Sequence, residues 1–408
     1  MKDLGLIRRN FPALKRKTDN NKSVIYFDGP GASQIPNNVF DAYREHILGD
    51  KANQGGYFET SVNTTNAVKY ARESLAMFMN CYADEIVIGA NATTSIFQFS
   101  RALSREWKEN DEVVVTDLDH FANVSPWVEV AKDKKCKVNT IKFDTKSGKY
   151  NLNDFEKAIT NKTKIVAVNY ACNAIGTINP VKEIIKIAHA KGALVFVDAV
   201  HYAPHRCIDV QDLDCDFLVT SVYKYFGPHV SAVFAKKKHL ENFEPYKVEP
   251  ASDNVPNRWE TGTPDFSAIA AIPSTIKYLI SLSENSSPTR KNLELAYKNI
   301  TEYENELSRY FLNKIWELKH VKVHGIKNTD DVNKRTPTFA LTIKGKTSHQ
   351  VAEYLAKHGI FAWSGHFYAL DVVRSYDLEK DGLLRIGLLH YNTKREIKEL
   401  ISILRLLK

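Results

Sequence analysis

Cysteine is scarce. The 408 residues hold five, Cys81, Cys136, Cys172, Cys207 and Cys215, an odd number with no paired spacing. A disulfide framework is excluded, and free thiols in a reducing compartment fit best. Long apolar runs are also missing: nothing approaches the roughly 20 residues a membrane span needs. Met1-Lys2-Asp3-Leu4-Gly5-Leu6 leads into charged residues, not into an apolar segment of signal-peptide length. The expected location is the cytoplasm, with no membrane contact. Charge of one sign is not concentrated either. The net charge is +8, and lysines such as those in Lys132-Asp133-Lys134-Lys135 and Lys236-Lys237-Lys238 are scattered as on a solvated surface. No nucleic-acid partner is expected, although a basic rim would favour anionic small molecules. Repeats, low-complexity tracts and Pro/Gly/Ser linkers are absent. Gly29 and Gly31 do not complete a G-x-G-x-x-G pattern, which removes a nicotinamide-binding reading.

The remaining composition, 43% hydrophobic and 25% charged, is that of a globular protein long enough for more than one structural unit. β-rich runs at 85–89, 112–116, 164–169, 193–197, 216–220 and 230–234 alternate with helical patterns such as 93–107 and 181–191. Strands rich in Val, Ile and Leu between helices predict an α/β fold with a mostly parallel sheet covered on both faces. After about residue 285 the pattern changes. A long helix at 291–318 precedes a strand at 338–343, a helix at 348–357, a strand at 383–387 and a helix at 394–407. Thr393 and Glu396 have capping-box spacing before that last helix. The expected division is a large domain at 31–285 and a small α+β domain at 286–408. Residues 1–30 are expected to pack on the small domain or the domain interface.

Chemistry concentrates around two residues. Asp198 closes the apolar run Leu194-Val195-Phe196-Val197. Ligands in α/β sheets bind beyond the carboxyl ends of strands, although an aspartate there can also simply cap a turn. Lys224 lies in Ser221-Val222-Tyr223-Lys224-Tyr225-Phe226-Gly227-Pro228, whose flanks are too apolar for a solvated loop. A desolvated lysine is a nucleophile toward an aldehyde. A lysine to form an imine and a carboxylate to keep a ring nitrogen protonated are what a pyridoxal phosphate (PLP) enzyme requires. Asn91-Ala92-Thr93-Thr94-Ser95 opens a helix after a strand, where free amides and hydroxyls can hold a phosphate or simply cap the helix. Arg385, between Leu384 and Ile386, suits a planar two-pronged contact with a carboxylate. His201 and His205 have the spacing of metal ligands, but Pro204 and the lack of an acid between them argue against metal. No metal is expected.

From Tyr26-Phe27-Asp28-Gly29-Pro30-Gly31-Ala32 to Arg385-Ile386-Gly387-Leu388-Leu389-His390-Tyr391-Asn392-Thr393, nearly the whole chain resembles class V, fold-type I PLP enzymes, and within them the cysteine desulfurase-like family. The resemblance implies a seven-stranded, mostly parallel sheet between helices in the large domain. It also assigns roles. Lys224 holds PLP as a Schiff base, Asp198 pairs with the ring nitrogen, and the His120 ring stacks on the pyridine; these three are the catalytic candidates. Thr93, with Thr94 beside it, takes the phosphate. Ser221 and Tyr223 are further phosphate donors, Tyr223 standing where relatives often carry histidine. Asn173 and His201 address the ring hydroxyl. Taken alone, His120 reads as an ordinary loop histidine and Asn173 as a turn asparagine. Arg385 takes the substrate carboxylate, and Gly31 shapes the substrate pocket together with a segment like Gln54-Gly55-Gly56-Tyr57. Thr263, in Arg258-Trp259-Glu260-Thr261-Gly262-Thr263-Pro264, reaches the other subunit's cofactor across a homodimer interface.

Family members that mobilise sulfur use a loop cysteine before the final arginine strand. The matching stretch, Phe361-Ala362-Trp363-Ser364-Gly365-His366-Phe367-Tyr368-Ala369-Leu370, has none. A persulfide relay is therefore not expected. His366 and Tyr368 stand there instead, as proton donors, substrate-binding groups or pocket rim. The resemblance implies an external aldimine with an α-amino acid and Cα deprotonation by Lys224. C–S lyase chemistry on cysteine or a cysteine derivative is the favoured outcome, with aminotransferase and epimerase as alternatives. A non-catalytic PLP-fold protein is the remaining reading, against which Lys224, Asp198 and Arg385 together argue. The substrate side chain and leaving group stay open.

Overall fold

The computed structural model describes residues 3–407. Its strands are β1 (Ile25–Tyr26), β2 (Ile86–Gly89), β3 (Glu112–Thr116), β4 (Lys137–Ile141), β5 (Thr163–Asn169), β6 (Leu194–Asp198) and β7 (Phe217–Ser221). They continue with β8 (Ser231–Ala235), β9 (Val321–His324), β10 (Thr338–Ile343), β11 (Ile360–Phe361), β12 (Trp363–Gly365) and β13 (Leu383–Gly387). Seven form one sheet in the order β2-β8-β7-β6-β5-β3-β4. β8 runs antiparallel to both its neighbours, and the remaining pairs are parallel. The sheet is mostly parallel, as the sequence pattern predicts, and a smaller unit follows it toward the C-terminus.

Alternation along the strands explains the two covered faces. Val113, Val115, Ile165, Ala167, Phe196 and Val219 enter one hydrophobic cluster, beneath helices Ala92–Leu103 and Ser125–Asp133. Val114, Val166, Val168, Val195, Val197 and Leu218 enter another, beneath helices Glu59–Met79 and Val181–His189. Strands buried on both faces lose the apolar/polar alternation of a half-exposed strand, so they read as continuous apolar runs. β4 breaks that rule. It is an edge strand with Lys137 and Thr140 exposed and only Ile141 buried, and no apolar run betrays it.

The C-terminal sheet is antiparallel, ordered β12-β13-β10-β9. It has its own cluster, built from Phe339, Leu341, Leu384 and Ile386 with helices Arg290–Ile315, Ser348–Lys357 and Lys394–Leu404. Thr393 caps the last helix, and Glu396 returns the bond to the Thr393 N–H at 2.8 Å. Helix Arg290–Ile315 serves both units: Leu293, Ala296 and Ile300 pack in the large core, Leu307, Phe311 and Leu312 in the small one. The N-terminal segment lies where the units meet. β1 pairs with β11, Asp28 bridges to Gly387, and Arg8 reaches Glu396 at 2.9 Å. Phe11 packs edge-on against Phe226, Tyr278 and Tyr391.

Candidate active site

Parallel strands bring their carboxyl ends to one edge, and the loops leaving that edge converge. β6 ends at Asp198. Its neighbour β7 ends at Ser221 and turns at once into a short 3-10 segment, Val222–Tyr225, that carries Lys224. β2 delivers the helix that begins at Ala92, β3 the loop to His120, and β5 the turn with Asn173. From the small unit come the 363–368 segment and Arg385 on β13. Together they enclose a cavity of about 490 Å³. Lys224, Asp198 and Arg385 line it; so do Thr93, His120, Asn173, His201, Ser221 and Tyr223, along with Gly31, His366 and Tyr368. Two candidates lie outside it. Thr94 is exposed on the first helical turn, its N–H donating to Asn91 Oδ1 at 2.9 Å. Thr263 is exposed on the segment after the short turn Asn257–Trp259.

The cavity is built of groups held away from their ordinary charge states. Lys224 Nζ donates to the carbonyls of Pro30 at 2.6 Å and Gly31 at 2.5 Å. Burial, helped by Arg385 and opposed by Asp198 and Asp28, brings its pKa down to about 7. A neutral amine is therefore accessible near neutral pH. Asp198 is buried and accepts one backbone bond, from Val200 at 2.8 Å. Burial pushes its carboxyl up to about 6 against that bond and Lys224, so ionisation there calls for a cationic neighbour. His120 is held neutral, its pKa lowered to about 4 by burial first and then by Lys224 and Arg385. Its Nδ1 accepts from the Ala122 N–H at 3.0 Å. Its ring stacks on Tyr368 with centroids 5.3 Å apart. Burial likewise keeps His201 neutral, with Nε2 at 3.1 Å from the hydroxyls of Thr336 and Thr338.

Arg385 and Asn173 form the opposite wall. Arg385 Nη1 donates to the Asn173 carbonyl at 3.1 Å, and Nε has no partner although buried. Asn173 Nδ2 donates to the Phe367 carbonyl at 2.9 Å, and its Oδ1 is also buried without a partner. Buried unpaired polar atoms are rare, and here they mark groups arranged for something bound between them. Next to them, the N-terminus of the 12-residue helix Ala92–Leu103, capped by Asn91, offers free amides and the Thr93 hydroxyl to an anion. The site can hold a dianion at the helix end, a flat ring over His120, and a carboxylate at Arg385.

Sequence reasoning passed over three groups. Phe367 lays its ring against the Arg385 guanidinium, 4.2 Å from Cζ to the ring centroid. Trp363 lines the cavity mouth and crowds Gly31: a Cβ on that glycine would stand 2.9 Å from Trp363 Nε1. Asp28 has a buried carboxyl raised to about 6 by burial, against the pull of Arg385 and Lys224, and its Oδ1 is unpartnered. All three lay in stretches already singled out, but only the fold brings them to Lys224 and Arg385. Among the described residues, no cluster of three or more His, Cys, Asp or Glu is placed to hold a metal, and no helix is long and apolar enough to cross a membrane.

Known proteins are similar to this chain over almost its full length. A probable cysteine desulfurase of Borreliella burgdorferi is 32% identical over 97% of this chain and 94% of its own length. An aminotransferase-like protein of Gibberella zeae is 30% identical over 98% of this chain and 97% of its own. The apo structure of a cysteine desulfurase from Thermococcus onnurineus superposes with a TM-score of 0.88 at 27% identity, covering 100% of this chain and 98% of that one. The sequence pattern of the class-V aminotransferases matches residues 25–400, and the chain belongs to that family of PLP-dependent enzymes.

Proposed function

We propose that this enzyme acts on an α-amino acid by removing its Cα proton, and that it is a C–S lyase for cysteine or a cysteine derivative. The observation carrying this reading is that Lys224, Asp198 and Arg385 share the walls of one cavity. When bound, PLP supplies an electron sink for negative charge at the substrate Cα. The chain does the rest. Lys224 Nζ, with its pKa near neutrality, takes the Cα proton. Asp198 keeps a proton on the ring nitrogen, a cation that relieves its own buried charge. Thr93, Ser221 and the helix amides hold the phosphate, with the Tyr223 hydroxyl beside them. His120 covers one ring face. Asn173 and His201 take the ring hydroxyl. The free Nε edge of Arg385 binds the substrate carboxylate.

Sulfur leaves without passing through a thiol of the chain. Among the described residues no cysteine lines the cavity, and none follows Cys215 in the sequence. Cys172 lies between two lining residues, but it packs in the core and burial pushes its thiol up to about 12. The active unit is a homodimer in which Thr263 reaches the partner's phosphate. Exposed Phe40, Leu48, Tyr57 and Phe58 supply apolar surface for such an interface. Sedimentation of a pure monomer at micromolar concentration would remove the dimer. The main test loads the protein with PLP, screens amino acids by the visible band, and assays the products. Pyruvate with sulfide or thiol supports the lyase. A keto acid of unchanged carbon skeleton makes it a transaminase, and no visible band at all sinks the reading.

A further inference from the structure

Resting on that reading, the geometry points to a narrower substrate class: S-substituted cysteines whose substituent is apolar, in preference to free cysteine. The argument starts from the 363–368 segment. Trp363, Phe367 and Tyr368 make an aromatic wall at the cavity mouth, and Trp363 and Tyr368 are 56% and 67% exposed. The wall is fixed, although Phe367 and Tyr368 both have left-handed backbone, φ 54° and 56°. Two consecutive non-glycine residues there cost on the order of 1 kcal/mol each or more and persist only where the surroundings impose them. Here the restraints are visible. The Phe121 N–H donates to the Tyr368 carbonyl at 2.7 Å, Asn173 Nδ2 to the Phe367 carbonyl, and the Tyr368 N–H to His366 Nδ1 at 3.0 Å. The loop is thus bolted to the walls that carry His120 and Asn173. Backbone strain held at a ligand cavity indicates a surface kept in place for recognition.

What such a wall recognises follows from its chemistry. Phe367 already covers a face of Arg385, so a bound carboxylate meets that guanidinium at its edge. The substrate's side chain then leaves toward the mouth, past Tyr368 and Trp363. Thioether sulfur and apolar groups pack well on aromatic edges and faces. The reaction balances without an acceptor. The Cα–H electron pair becomes the Cα=Cβ bond as Lys224 takes the proton. The Cβ–S bond breaks, and the sulfur leaves with that bond's electron pair and takes up the proton that Lys224 removed. One water then hydrolyses the remaining aminoacrylate to pyruvate and ammonium. Overall, S-substituted cysteine plus water gives thiol, pyruvate and ammonium, with no oxidant and no receiving cysteine.

The test measures binding to PLP-loaded protein before turnover, from the amplitude of the rapid-mixing shift of the visible band against ligand concentration. The probes are L-alanine, L-cysteine, S-methyl-L-cysteine and S-benzyl-L-cysteine. Affinity should rise along that series. Trp363→Ala and Tyr368→Ala should weaken S-benzyl-L-cysteine about 5- to 10-fold and move L-alanine less than twofold. Tyr368→Phe, which keeps the ring, should bind as the parent does. Tightest binding of free cysteine, or an equal loss for all four ligands in the alanine variants, overturns the aromatic assignment. A protein that gains no visible band with PLP refutes instead the reading on which it rests.

Discussion

Two buried aspartates at opposite ends of the central sheet show how one scaffold treats a working carboxylate and a structural one. Asp198 ends β6 at the cavity; Asp216 stands just before β7, at the far edge. Asp216 is fully engaged. It accepts from the Val195 N–H at 2.9 Å and meets His189 Nε2 at 2.8 Å and His239 Nε2 at 2.7 Å. Those bonds outweigh its desolvation and hold its carboxyl well below the usual carboxylate range. Asp198 has one backbone bond and the Lys224 charge, and desolvation wins, raising it to about 6. The same residue type, buried in both places, is stabilised where the fold supplies every partner and left under-satisfied where a ligand must supply one. The lysines repeat the contrast. Lys236 reaches Asp214 and Asp216, whereas Lys224 donates its hydrogen bonds to backbone carbonyls, lies over the Tyr223 ring at 4.8 Å, and has its pKa lowered to about 7.

The largest effect that would break this contrast is at Lys224. Lys224→Ala should abolish the visible imine band on adding PLP, while Lys236→Ala should leave it intact; a persisting band would mean another lysine holds the cofactor. The wild-type protein offers a sharper version. If the neutral amine captures the aldehyde, the rate at which the band appears should rise about tenfold per pH unit below pH 7 and level off above it. A rate still climbing toward the ordinary lysine range would show that burial does not tune this amine.

Much of this was legible from sequence, and the legible part has a common cause. Strands buried on both faces must be apolar throughout, so each middle strand except β4 could be seen within one residue. Asp198 and Lys224 stood out because a charged residue at the end of an apolar run is costly unless used. What stayed hidden were pairings between distant segments. Phe367 on Arg385, Tyr368 on His120 and the Asp28 carboxyl near both cavity cations depend on the small unit closing over the sheet edge. No local pattern encodes that closure. β4 was hidden for the opposite reason, since an exposed edge strand has little apolar signal to show.

A smaller effect separates binding from chemistry at the cavity wall. Arg385→Lys keeps the charge and loses the planar fork, so KM for the amino acid should rise about 10- to 100-fold with a lesser change in kcat. Arg335 is the control for a buried arginine of another kind. Its guanidinium donates only to backbone carbonyls, of Ile326, Thr338, Ile175 and Thr336, and it does not line the cavity. Arg335→Lys should lower stability and leave KM unmoved in the folded fraction. Equal KM shifts in both variants would mean Arg385 acts through packing.

The finest test compares the two aspartates by stability alone, in cofactor-free protein at pH 7. Asp216→Asn removes a favourable buried charge and leaves His189 and His239 short of an acceptor, so it should cost on the order of 2 kcal/mol. Asp198→Asn removes a charge that burial disfavours, so it should be neutral or stabilising by on the order of 1 kcal/mol. The pH dependence carries opposite signs. A depressed pKa gives stability that is present above the ordinary carboxylate range and lost as pH falls below it, which is the Asp216 case. A raised pKa gives stability that declines as pH rises from the ordinary carboxylate value through about 6, which is the Asp198 case. Denaturant unfolding of the two variants against wild type reads both signs, Asp198 between pH 4 and pH 7 and Asp216 between pH 4 and about pH 2. If Asp198→Asn destabilises as much as Asp216→Asn, the charge at the cavity is satisfied by the protein itself, and the need for a cationic ring beside it disappears.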